Sequence, residues 1–321
     1  MFAKITGTGS YLPAKVLHNT DIAKMVDTSD EWITQRVGIK QRHIANEAET
    51  TAYMAIKAAN NAMNMANLQG QDIDLIIVAT GTADYIMPST ASIVQTQIKA
   101  PCCPAFDISA ACSGFVYAVD IAKQYVENGN AKHALVIASE RMSRTLDWQD
   151  RATCVLFGDG AGAVILSQND KPGIIASTLY CDGEGKDILN IPGLLSKIPF
   201  TQTQYHTMLH MEGNKVFKKA VSKLSELVSN LLSKANMHDT DIDWLVPHQA
   251  NYRILEATAK KLNMPMSQVI VTLEQHGNTS AASIPLALDH AIRHNQIKPG
   301  QTILTEAFGA GLVWGGFIAK F

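Results

Sequence analysis

The sequence of 321 residues predicts a layered α/β fold built from two duplicated halves. Short apolar runs typical of strands alternate along the chain with longer segments whose apolar residues recur at helical spacing. Several short patterns also occur twice, always 169 residues apart, which indicates an internal repeat. The repeated residues are Ala66-Asn67 with Ala235-Asn236, Asp72-Ile73-Asp74 with Asp241-Ile242-Asp243, and Ala118 and Asp120 with Ala287 and Asp289.

The periodicity assigns a similar set of elements to each half. Strands are predicted at the apolar runs 75–80, 134–139, 155–157, 164–166, 244–246, 270–273 and 302–305. Helices are predicted over 51–65, 113–127, 215–234, 254–262 and 284–294. The polar, proline-containing stretch 168–172 interrupts this pattern, so we expect a first half at 1–170 and a second at 171–321. In a duplicated fold, the functional loops of the two halves face each other in a cleft.

Composition argues against several classes of protein. A net charge of -2 provides no bulk basic field for nucleic acid, and no segment reaches the roughly 18 apolar residues of a membrane span. The N-terminal residues lack a signal-peptide pattern, and the five cysteines are an odd number without CxxC spacing. We therefore expect free thiols and a cytoplasmic location. His206 and His210 have i,i+4 spacing but lack a further ligand, so no metal is expected.

The segment DISAACSGFVYAVDIA, residues 107–122, predicts a nucleophile. Cys112 stands between a strand-like entry and a long apolar helix, among small residues that permit a tight turn and the approach of a substrate. The helix dipole and unpaired N–H groups would stabilise a thiolate there. The alternative is a buried cysteine that packs like a small apolar residue. The other cysteines lack this setting and are interpreted as structural: Cys102, Cys103, Cys154 and Cys181.

Two polar segments of the second half offer partners for this thiol. In WLVPHQAN, His248 follows a predicted strand, at the edge of the sheet where α/β proteins bind ligands. In HGNTSAASIP, Asn278 lies three residues before Ala281, which is the repeat counterpart of Cys112. We therefore expect Cys112 and the Asn278 loop to face each other across the cleft. A hydrogen-bonded histidine and an ordinary turn asparagine are the alternatives, and His276 is interpreted as structural.

A glycine-rich loop follows the last predicted strand. Gly309-Ala310-Gly311, within EAFGAG, is small enough to bring backbone N–H groups close to a reacting oxygen, as an oxyanion hole requires. A plain tight turn is the alternative. The other glycine-rich segment, residues 157–163, has neither GxGxxG spacing nor a phosphate-loop pattern. We interpret it as a hairpin or a close-packed turn.

Together these motifs resemble those of the β-ketoacyl-acyl-carrier-protein synthase III family, the initiating condensing enzymes of bacterial type II fatty-acid synthesis. The resemblance is carried by DISAACSGF, VPHQAN, HGNTSAASIP and EAFGAG, with VDTSDEWI near the start, and it extends from Ile5 to Phe321. It implies a thiolase fold with two halves in αβαβα layers, and a homodimer. It also implies a catalytic triad, which maps onto Cys112, His248 and Asn278.

The resemblance implies a ping-pong reaction that needs no metal or redox cofactor. An acyl-CoA, acetyl-CoA or another short one, acylates Cys112, and malonyl-acyl-carrier protein then enters. His248 and Asn278 hold its thioester carbonyl during decarboxylation, and the carbanion attacks the acyl-cysteine to give 3-oxoacyl-acyl-carrier protein. The Cys112 N–H and the Gly309-Ala310-Gly311 loop would stabilise the acyl oxyanion.

The same resemblance assigns residues to substrate binding. The residues that would bind CoA are Trp32 and Arg151, flanking the adenine, with Thr28, Arg36 and Asn251 along the rest of the molecule. Helical spacing, independently of the resemblance, groups the basic residues that would bind an acidic carrier protein, which are Arg253, Lys260, Lys261 and Lys218. Surface packing and a solvated charged face are the respective alternatives.

The sequence departs from the family pattern at several points. Many relatives have three glycines where this chain has Gly309-Ala310-Gly311, and alanine forbids backbone angles that glycine adopts. Met87 stands where the family carries a bulky residue that reaches the acyl pocket across the dimer interface, and methionine is flexible enough to reshape that pocket. The stretch 188–210 is longer than is typical, and we interpret it as a flap near the pocket.

Other functions compete with this one. A degradative thiolase uses a second cysteine near the C-terminus, whereas no cysteine follows Cys181 in this sequence. A type III polyketide synthase shares the triad but has a longer chain and different flanking motifs. A synthase-III-like enzyme of secondary or signalling metabolism would have the same catalytic residues and a different pocket. A non-catalytic module that binds acyl groups or carrier protein is the alternative of another class.

Overall fold

The structure, a computed structural model, describes residues 1–193 and 208–321. His206 and most of the predicted flap at 188–210 lie outside the described residues. The described strands are β1 (Phe2–Tyr11), β2 (Val16–His18), β3 (Gln41–His43), β4 (Leu75–Ala79), β5 (Ala105–Ile108), β6 (His133–Arg141), β7 (Asp159–Asn169), β8 (Ile174–Cys181), β9 (Leu189–Asn190), β10 (His210–Met211), β11 (Trp244–Pro247), β12 (Thr302–Gly309) and β13 (Val313–Lys320). The described helices are α1 (Asn19–Ile22), α2 (Asp30–Val37), α3 (Thr51–Ala66), α4 (Thr90–Gln97), α5 (Gly114–Glu127), α6 (Arg151–Cys154), α7 (Gly213–Ala235), α8 (Tyr252–Lys261), α9 (Leu273–His276) and α10 (Ser283–Arg293).

These elements stack in alternating layers of helices and sheets. The first sheet has the strand order β1-β7-β6-β4-β5, and α3 and α4 cover its outer face. The second sheet has the order β11-β12-β13-β8 and is covered outside by α7, against which α8 packs. Helices α5 and α10 lie between the two sheets. The predicted αβαβα thiolase fold with duplicated halves is confirmed.

The strands at the centre of the first sheet are apolar on both faces because helices cover both faces. Every residue of β4 is buried, and Phe115, Val116 and Val119 of α5 fill the space between the sheets. Full burial of such a side chain contributes about 1.5–3 kcal/mol. Among the described helices, none is long and apolar enough to cross a membrane.

The repeat is visible in local detail. Helices α3 and α7 both end at an asparagine in the left-handed region, Asn67 with a φ of 54° and Asn236 with a φ of 52°. Asparagine tolerates this conformation better than most residues, which makes it a suitable helix terminator. After each helix, a 3₁₀ turn ends at the first aspartate of the repeated Asp-Ile-Asp pattern, which leads into a parallel strand, β4 or β11.

Each helix of the middle layer is hydrogen-bonded to the sheet of the other half. Asp120 of α5 accepts a hydrogen bond from the Ser177 hydroxyl of β8. Asp289 of α10 accepts one from the Thr8 hydroxyl of β1 at 2.7 Å. The two aspartates are repeat counterparts, and so are Thr8 and Ser177, at the same spacing of 169 residues. The repeat therefore produces two equivalent bonds that cross the core in opposite directions.

Two predicted strands are wrong. Residues 155–157 continue as a turn after α6, with only an isolated bridge between Phe157 and Asn278, and burial in the core explains their apolar character. Residues 270–273 do not form a strand because the Gln249 side-chain oxygen accepts the N–H groups of Thr272 and Leu273, at 2.9 and 3.0 Å. The chain turns there into α9, and in the described part of the second sheet the pairing equivalent to β4 with β5 is reduced to an isolated parallel bridge between Leu245 and Val269.

Two further interpretations need correction. Residues 159–163 are not a hairpin or a turn but the start of β7, which pairs with β1 and β6. Glycine is needed at Gly162 because a Cβ there would lie 2.7 Å from the Leu286 nitrogen of α10. Among the cysteines interpreted as structural, Cys154 is buried, whereas Cys102 and Cys181 are exposed, so core packing does not account for them.

Candidate active site

A cleft of about 1050 Å³ opens between the two halves. Its walls come from the carboxyl ends of parallel strands in both sheets and from the loops that follow them. Cys112, His248 and Asn278 all line it, so the structure brings the three predicted site residues together. Ligand sites of α/β proteins commonly occupy this edge of the sheets.

Cys112 lies in the 3₁₀ turn Ala111–Ser113, immediately before α5. Ala111 adopts a φ of 44°, and Gly309 of β12 packs against the turn. Burial raises the pKa of the Cys112 thiol to about 11, although a hydrogen bond from Ser280 opposes the shift. Burial therefore opposes the thiolate that the sequence predicts at rest. The thiol must lose its proton as it reacts.

His248 is buried at the end of β11, where its backbone N–H donates to the Glu306 carbonyl oxygen at 2.8 Å. Its Nδ1 lies 2.7 Å from Ser283 Oγ, and that oxygen already accepts the Gln249 N–H at 3.2 Å. With the Ser283 hydroxyl as the donor to Nδ1, the imidazole proton is on Nε2. Burial lowers the pKa of His248 to about 4, so the ring is neutral at pH 7. A neutral ring of this tautomer donates a hydrogen bond through Nε2.

Asn278 is fixed by its backbone and by its own side chain. Its N–H donates to the Leu156 carbonyl oxygen at 2.9 Å, and its carbonyl oxygen accepts the Gly158 N–H at 3.0 Å. Its side-chain oxygen accepts the Ser280 N–H at 2.9 Å. Because the oxygen is engaged, the carboxamide offers its NH₂ group to the cleft.

Two polar residues that sequence reasoning missed also reach Cys112. Ser280 Oγ lies 3.5 Å from Cys112 Sγ and 3.3 Å from Oε1 of the buried Glu140. Ser280 has a φ of 50° and is the repeat counterpart of Ala111, so both halves present a left-handed residue at this turn. Signals were present in the sequence, because Ser280 lies inside HGNTSAAS and Glu140 immediately follows the predicted strand 134–139.

The loop Gly309-Ala310-Gly311 lies beside the Cys112 turn. A Cβ added to Gly309 would come within 2.7 Å of the Cys112 nitrogen, so only glycine allows this approach. Gly311 has a φ of 146°, whereas Ala310 adopts no left-handed conformation. The alanine that departs from the family pattern is therefore compatible with the backbone, and both Ala310 and Gly311 line the cleft.

Most of the residues assigned to CoA line the outer part of the cleft. The guanidinium of Arg151 lies 5.0 Å from the ring centre of Trp32, which is 40% exposed. Arg36 and Asn251 line the same wall, and the Asn251 side chain also caps the N-terminus of α8. Thr28 does not line the cleft, and its hydroxyl is buried beside α2.

The remaining predicted residues lie at or beyond the rim. Arg253 lines the cleft, with its guanidinium 5.6 Å from the ring centre of Phe217. Met87 is 80% exposed and does not line the cleft of its own chain. The lysines predicted to bind the carrier protein are all exposed, Lys218 on α7 and Lys260 and Lys261 on α8.

Sequence and structure comparisons with known proteins indicate which family the chain resembles along its whole length. Sequence models described as 3-oxoacyl-[acyl-carrier-protein] synthase III and as its C-terminal part match residues 106–183 and 232–321. The chain is 54% identical over 321 residues to β-ketoacyl-[acyl-carrier-protein] synthase III 1 of Vibrio parahaemolyticus, covering 100% of both chains. The Aquifex aeolicus 3-oxoacyl-[acyl-carrier-protein] synthase III crystal structure has a TM-score of 0.93 and 47% identity, covering 99% of this chain and 100% of that chain. The priming β-ketosynthase of a polyketide pathway has a TM-score of 0.95 and 35% identity, covering 100% of this chain and 96% of that chain.

The thiolase fold, with cysteine, histidine and asparagine around one cleft, defines a condensing enzyme. Sequence and structural similarity along the whole chain identifies one family within this class of condensing enzymes. The chain belongs to the 3-oxoacyl-acyl-carrier-protein synthase III family, whose members are acyltransferases.

Proposed function

We propose that this protein condenses a short acyl-CoA, such as acetyl-CoA, with malonyl-acyl-carrier protein and so initiates fatty-acid synthesis. The products are 3-oxoacyl-acyl-carrier protein, CoA and carbon dioxide. The observation that carries the proposal is the meeting of Cys112, His248 and Asn278 in one cleft. Family membership supports the same reaction.

In the first half-reaction, Cys112 Sγ attacks the thioester carbon of the acyl-CoA. A new S–C bond forms, the bond between the acyl carbon and the CoA sulfur breaks, and CoA leaves as the thiol. The Cys112 N–H and the adjoining Gly309-Ala310-Gly311 loop stabilise the oxyanion of the tetrahedral intermediate. Their contact through Gly309 supports this role.

In the second half-reaction, malonyl-acyl-carrier protein loses carbon dioxide and its enolate attacks the acyl group on Cys112. Nε2–H of neutral His248 and the NH₂ group of Asn278 donate hydrogen bonds to the thioester oxygen that becomes the enolate oxygen. Decarboxylation supplies the driving force, so we propose that no metal or redox cofactor takes part.

The rim residues fit the two substrates. We propose that the exposed face of Trp32 and the guanidinium of Arg151 flank the CoA adenine, with Arg36 and Asn251 along the rest of the molecule. Thr28 is left out of this proposal because its hydroxyl is buried and it does not line the cleft. The proposed contacts of the acidic carrier protein are Arg253, Lys218, Lys260 and Lys261.

We further propose a cytoplasmic homodimer in which each half of the chain, 1–170 and 171–321, forms one unit of the fold. The neighbouring side chains Tyr85, Ile86 and Met87 are 60%, 74% and 80% exposed, as expected of a segment that packs against a second copy. Met87 would then reach the acyl pocket of the partner.

Intact-protein mass spectrometry tests the proposal. After mixing with acetyl-CoA, the protein should gain one acetyl group on Cys112, and it should then release carbon dioxide from malonyl-acyl-carrier protein. An adduct without carbon dioxide release would indicate simple acyl transfer. No adduct with any acyl-CoA would favour the non-catalytic binding module.

A synthase-III-like role in secondary or signalling metabolism is the second candidate, supported by the likeness to the polyketide priming ketosynthase. The catalytic residues would be unchanged, and the pocket would accept a different primer. A panel of straight and branched acyl-CoAs of increasing length separates the two roles. A clear preference for acetyl-CoA favours initiation of fatty-acid synthesis, whereas a preference for long or branched primers favours the alternative.

A further inference from the structure

Glu140 is a buried carboxyl group in the wall of the cleft that the reaction described above does not use. It stands near the carboxyl end of β6 and is 1% exposed. Its oxygens accept the Gly81 N–H at 3.2 Å and the Thr82 hydroxyl at 2.6 Å. Its Oε1 also lies 3.3 Å from Ser280 Oγ, which points toward the active-site sulfur.

The groups that face this carboxyl are all neutral. They are the Gly81 N–H and the Thr80 and Thr82 hydroxyls from the segment after β4, and Ser280 with the Cys112 thiol behind it. The only charge at this position is therefore the one that Glu140 itself carries when it is ionised. The neighbouring Arg141 guanidinium is directed elsewhere, to the Asn46 carbonyl oxygen at 3.0 Å. Burial raises the pKa of Glu140 to about 7, so its carboxyl group exchanges a proton near neutral pH.

Ser280 connects this carboxyl to the sulfur. Its hydroxyl has a single proton, so it cannot donate to Glu140 Oε1 and to Cys112 Sγ at once. When the hydroxyl donates to the carboxylate, its oxygen is free to accept the thiol proton at the observed separation of 3.5 Å. In this arrangement the Cys112 thiol donates to the Ser280 hydroxyl, and the Ser280 hydroxyl donates to the Glu140 carboxylate.

We propose that Ser280 and Glu140 form a proton relay that activates Cys112. As Sγ bonds to the acyl carbon, the thiol proton passes to Ser280 Oγ and the Ser280 proton passes to Glu140 Oε1. As the bond from the acyl carbon to the CoA sulfur breaks, the proton held by Glu140 returns through Ser280 to the leaving sulfur. Ser280 touches the reacting sulfur, and Glu140 acts through it. The relay rests on the proposed role of Cys112 as the nucleophile.

An electrostatic role for Glu140 predicts the opposite sign. A fixed negative charge near Sγ disfavours the thiolate, and this effect contributes to the raised pKa of Cys112. If that were the only effect, removing the charge would make Cys112 more reactive. If the carboxylate accepts the proton, removing it makes Cys112 less reactive.

The rate of Cys112 alkylation by iodoacetamide, followed from about pH 5 to about pH 9, tests the relay. Peptide mapping with cleavage at Asp107 separates Cys112 from Cys102 and Cys103, and Cys181 lies on a distant peptide. In the unmodified protein the rate should rise through an inflection near pH 7. Glu140→Gln should remove the inflection and lower the rate at pH 7.5 by at least about tenfold, whereas Glu140→Asp should keep the inflection.

Ser280→Ala provides an independent variant. Alanine already occupies the equivalent turn position at Ala111 with a φ of 44°, so the fold should tolerate it at Ser280. It should reproduce the Glu140→Gln profile, and the double variant should lose nothing more.

Several results would overturn the relay: a Glu140→Gln protein that is as reactive as the original or more so, an unchanged Ser280→Ala profile, or an unmodified protein without an inflection. If Glu140→Gln does not fold, the other two measurements decide. A protein that shows the inflection but forms no adduct with any acyl-CoA would refute the proposed function and the acyl-transfer steps of the relay, while still supporting proton transfer from Cys112 to Glu140.

Discussion

At the scale of single residues, the chemistry of the cleft depends on burial. The same loss of water raises the pKa of Cys112 to about 11 and lowers that of His248 to about 4. Both side chains are therefore neutral at rest. Neutral groups suit a site that must admit a malonyl carboxylate and then release it as uncharged carbon dioxide.

Replacing the nucleophile should separate acylation from folding. We expect Cys112→Ala to form no acyl adduct and to keep the melting temperature of the original protein, because alanine occupies the same turn in the second half at Ala281. Intact mass and a thermal melt measure the two properties. Cys102→Ala, which removes an exposed thiol, is the control and should acylate normally. An adduct on the Cys112→Ala protein would assign the nucleophile elsewhere.

Replacing either donor should affect decarboxylation more than acylation. Removal of one preorganised donor of this type costs about 100- to 1,000-fold in rate. We therefore expect His248→Ala or Asn278→Ala to slow carbon dioxide release by that factor while acylation of Cys112 falls less. Single-turnover measurements of each half-reaction provide the comparison. Equal rate losses in acylation and in carbon dioxide release would contradict the proposed division of roles between Cys112 and the two donors.

The side-chain geometry of the site was only partly predictable. The repeat alone placed the Asn278 loop opposite Cys112, because residue spacing encodes the symmetry. It could not show that Ser280 would reach both Sγ and Glu140, since that depends on a φ of 50° and on a rotamer. Local spacing also favoured a thiolate, whereas burial depends on the whole tertiary structure.

At the scale of elements, the close contact between β12 and the Cys112 turn depends on one glycine. We expect Gly309→Ala to reduce stability by about 1–3 kcal/mol and to depress acylation, since its Cβ would lie 2.7 Å from the Cys112 nitrogen. Denaturant unfolding and the acylation rate report the two effects. Gly183→Ala is the matched control, because a Cβ there meets nothing within 4 Å. Similar behaviour of the two variants would argue against a tight contact at β12.

Helices were easier to predict than strands. The predicted helix at 215–234 corresponds to α7, because an amphipathic period persists over many residues. The apolar runs 155–157 and 270–273 are too short to show a period. Their conformation is therefore determined by tertiary hydrogen bonds, which the local sequence pattern does not reveal. At the second run, the side chain of Gln249 takes the place of a strand partner.

At the scale of the whole molecule, buried ionisable groups should set the pH range of stability. Burial lowers the pKa of His248 to about 4 and that of His276 to about 3, while it raises the pKa of Glu140 to about 7 and that of Glu306 to about 8. Below about pH 6.5 the unfolded histidines take up protons that the folded protein does not, so stability is lost as pH falls. Above about pH 4.5 the unfolded glutamates release protons that the folded protein retains, so stability is lost as pH rises.

We therefore expect the melting temperature to be highest between about pH 4.5 and about pH 6.5. Glu306→Gln should flatten the decline on the alkaline side, because it removes the carboxyl group with the most strongly raised pKa. Thermal melts in a series of buffers measure both effects. Glu256→Gln, at an exposed position of α8, should leave the curve unchanged. A melting temperature that keeps rising to pH 8 in the original protein would refute this account.

The crossed bonds of the middle layer, Asp120 with Ser177 and Asp289 with Thr8, have a consequence for the origin of the chain. A reciprocal exchange of this kind is what twofold symmetry produces between identical subunits. An ancestor encoding one half would have placed its aspartate opposite the hydroxyl of a second copy. Fusion of two such copies would make an intermolecular contact intramolecular and would leave the two turns free to diverge, one toward cysteine and the other toward alanine.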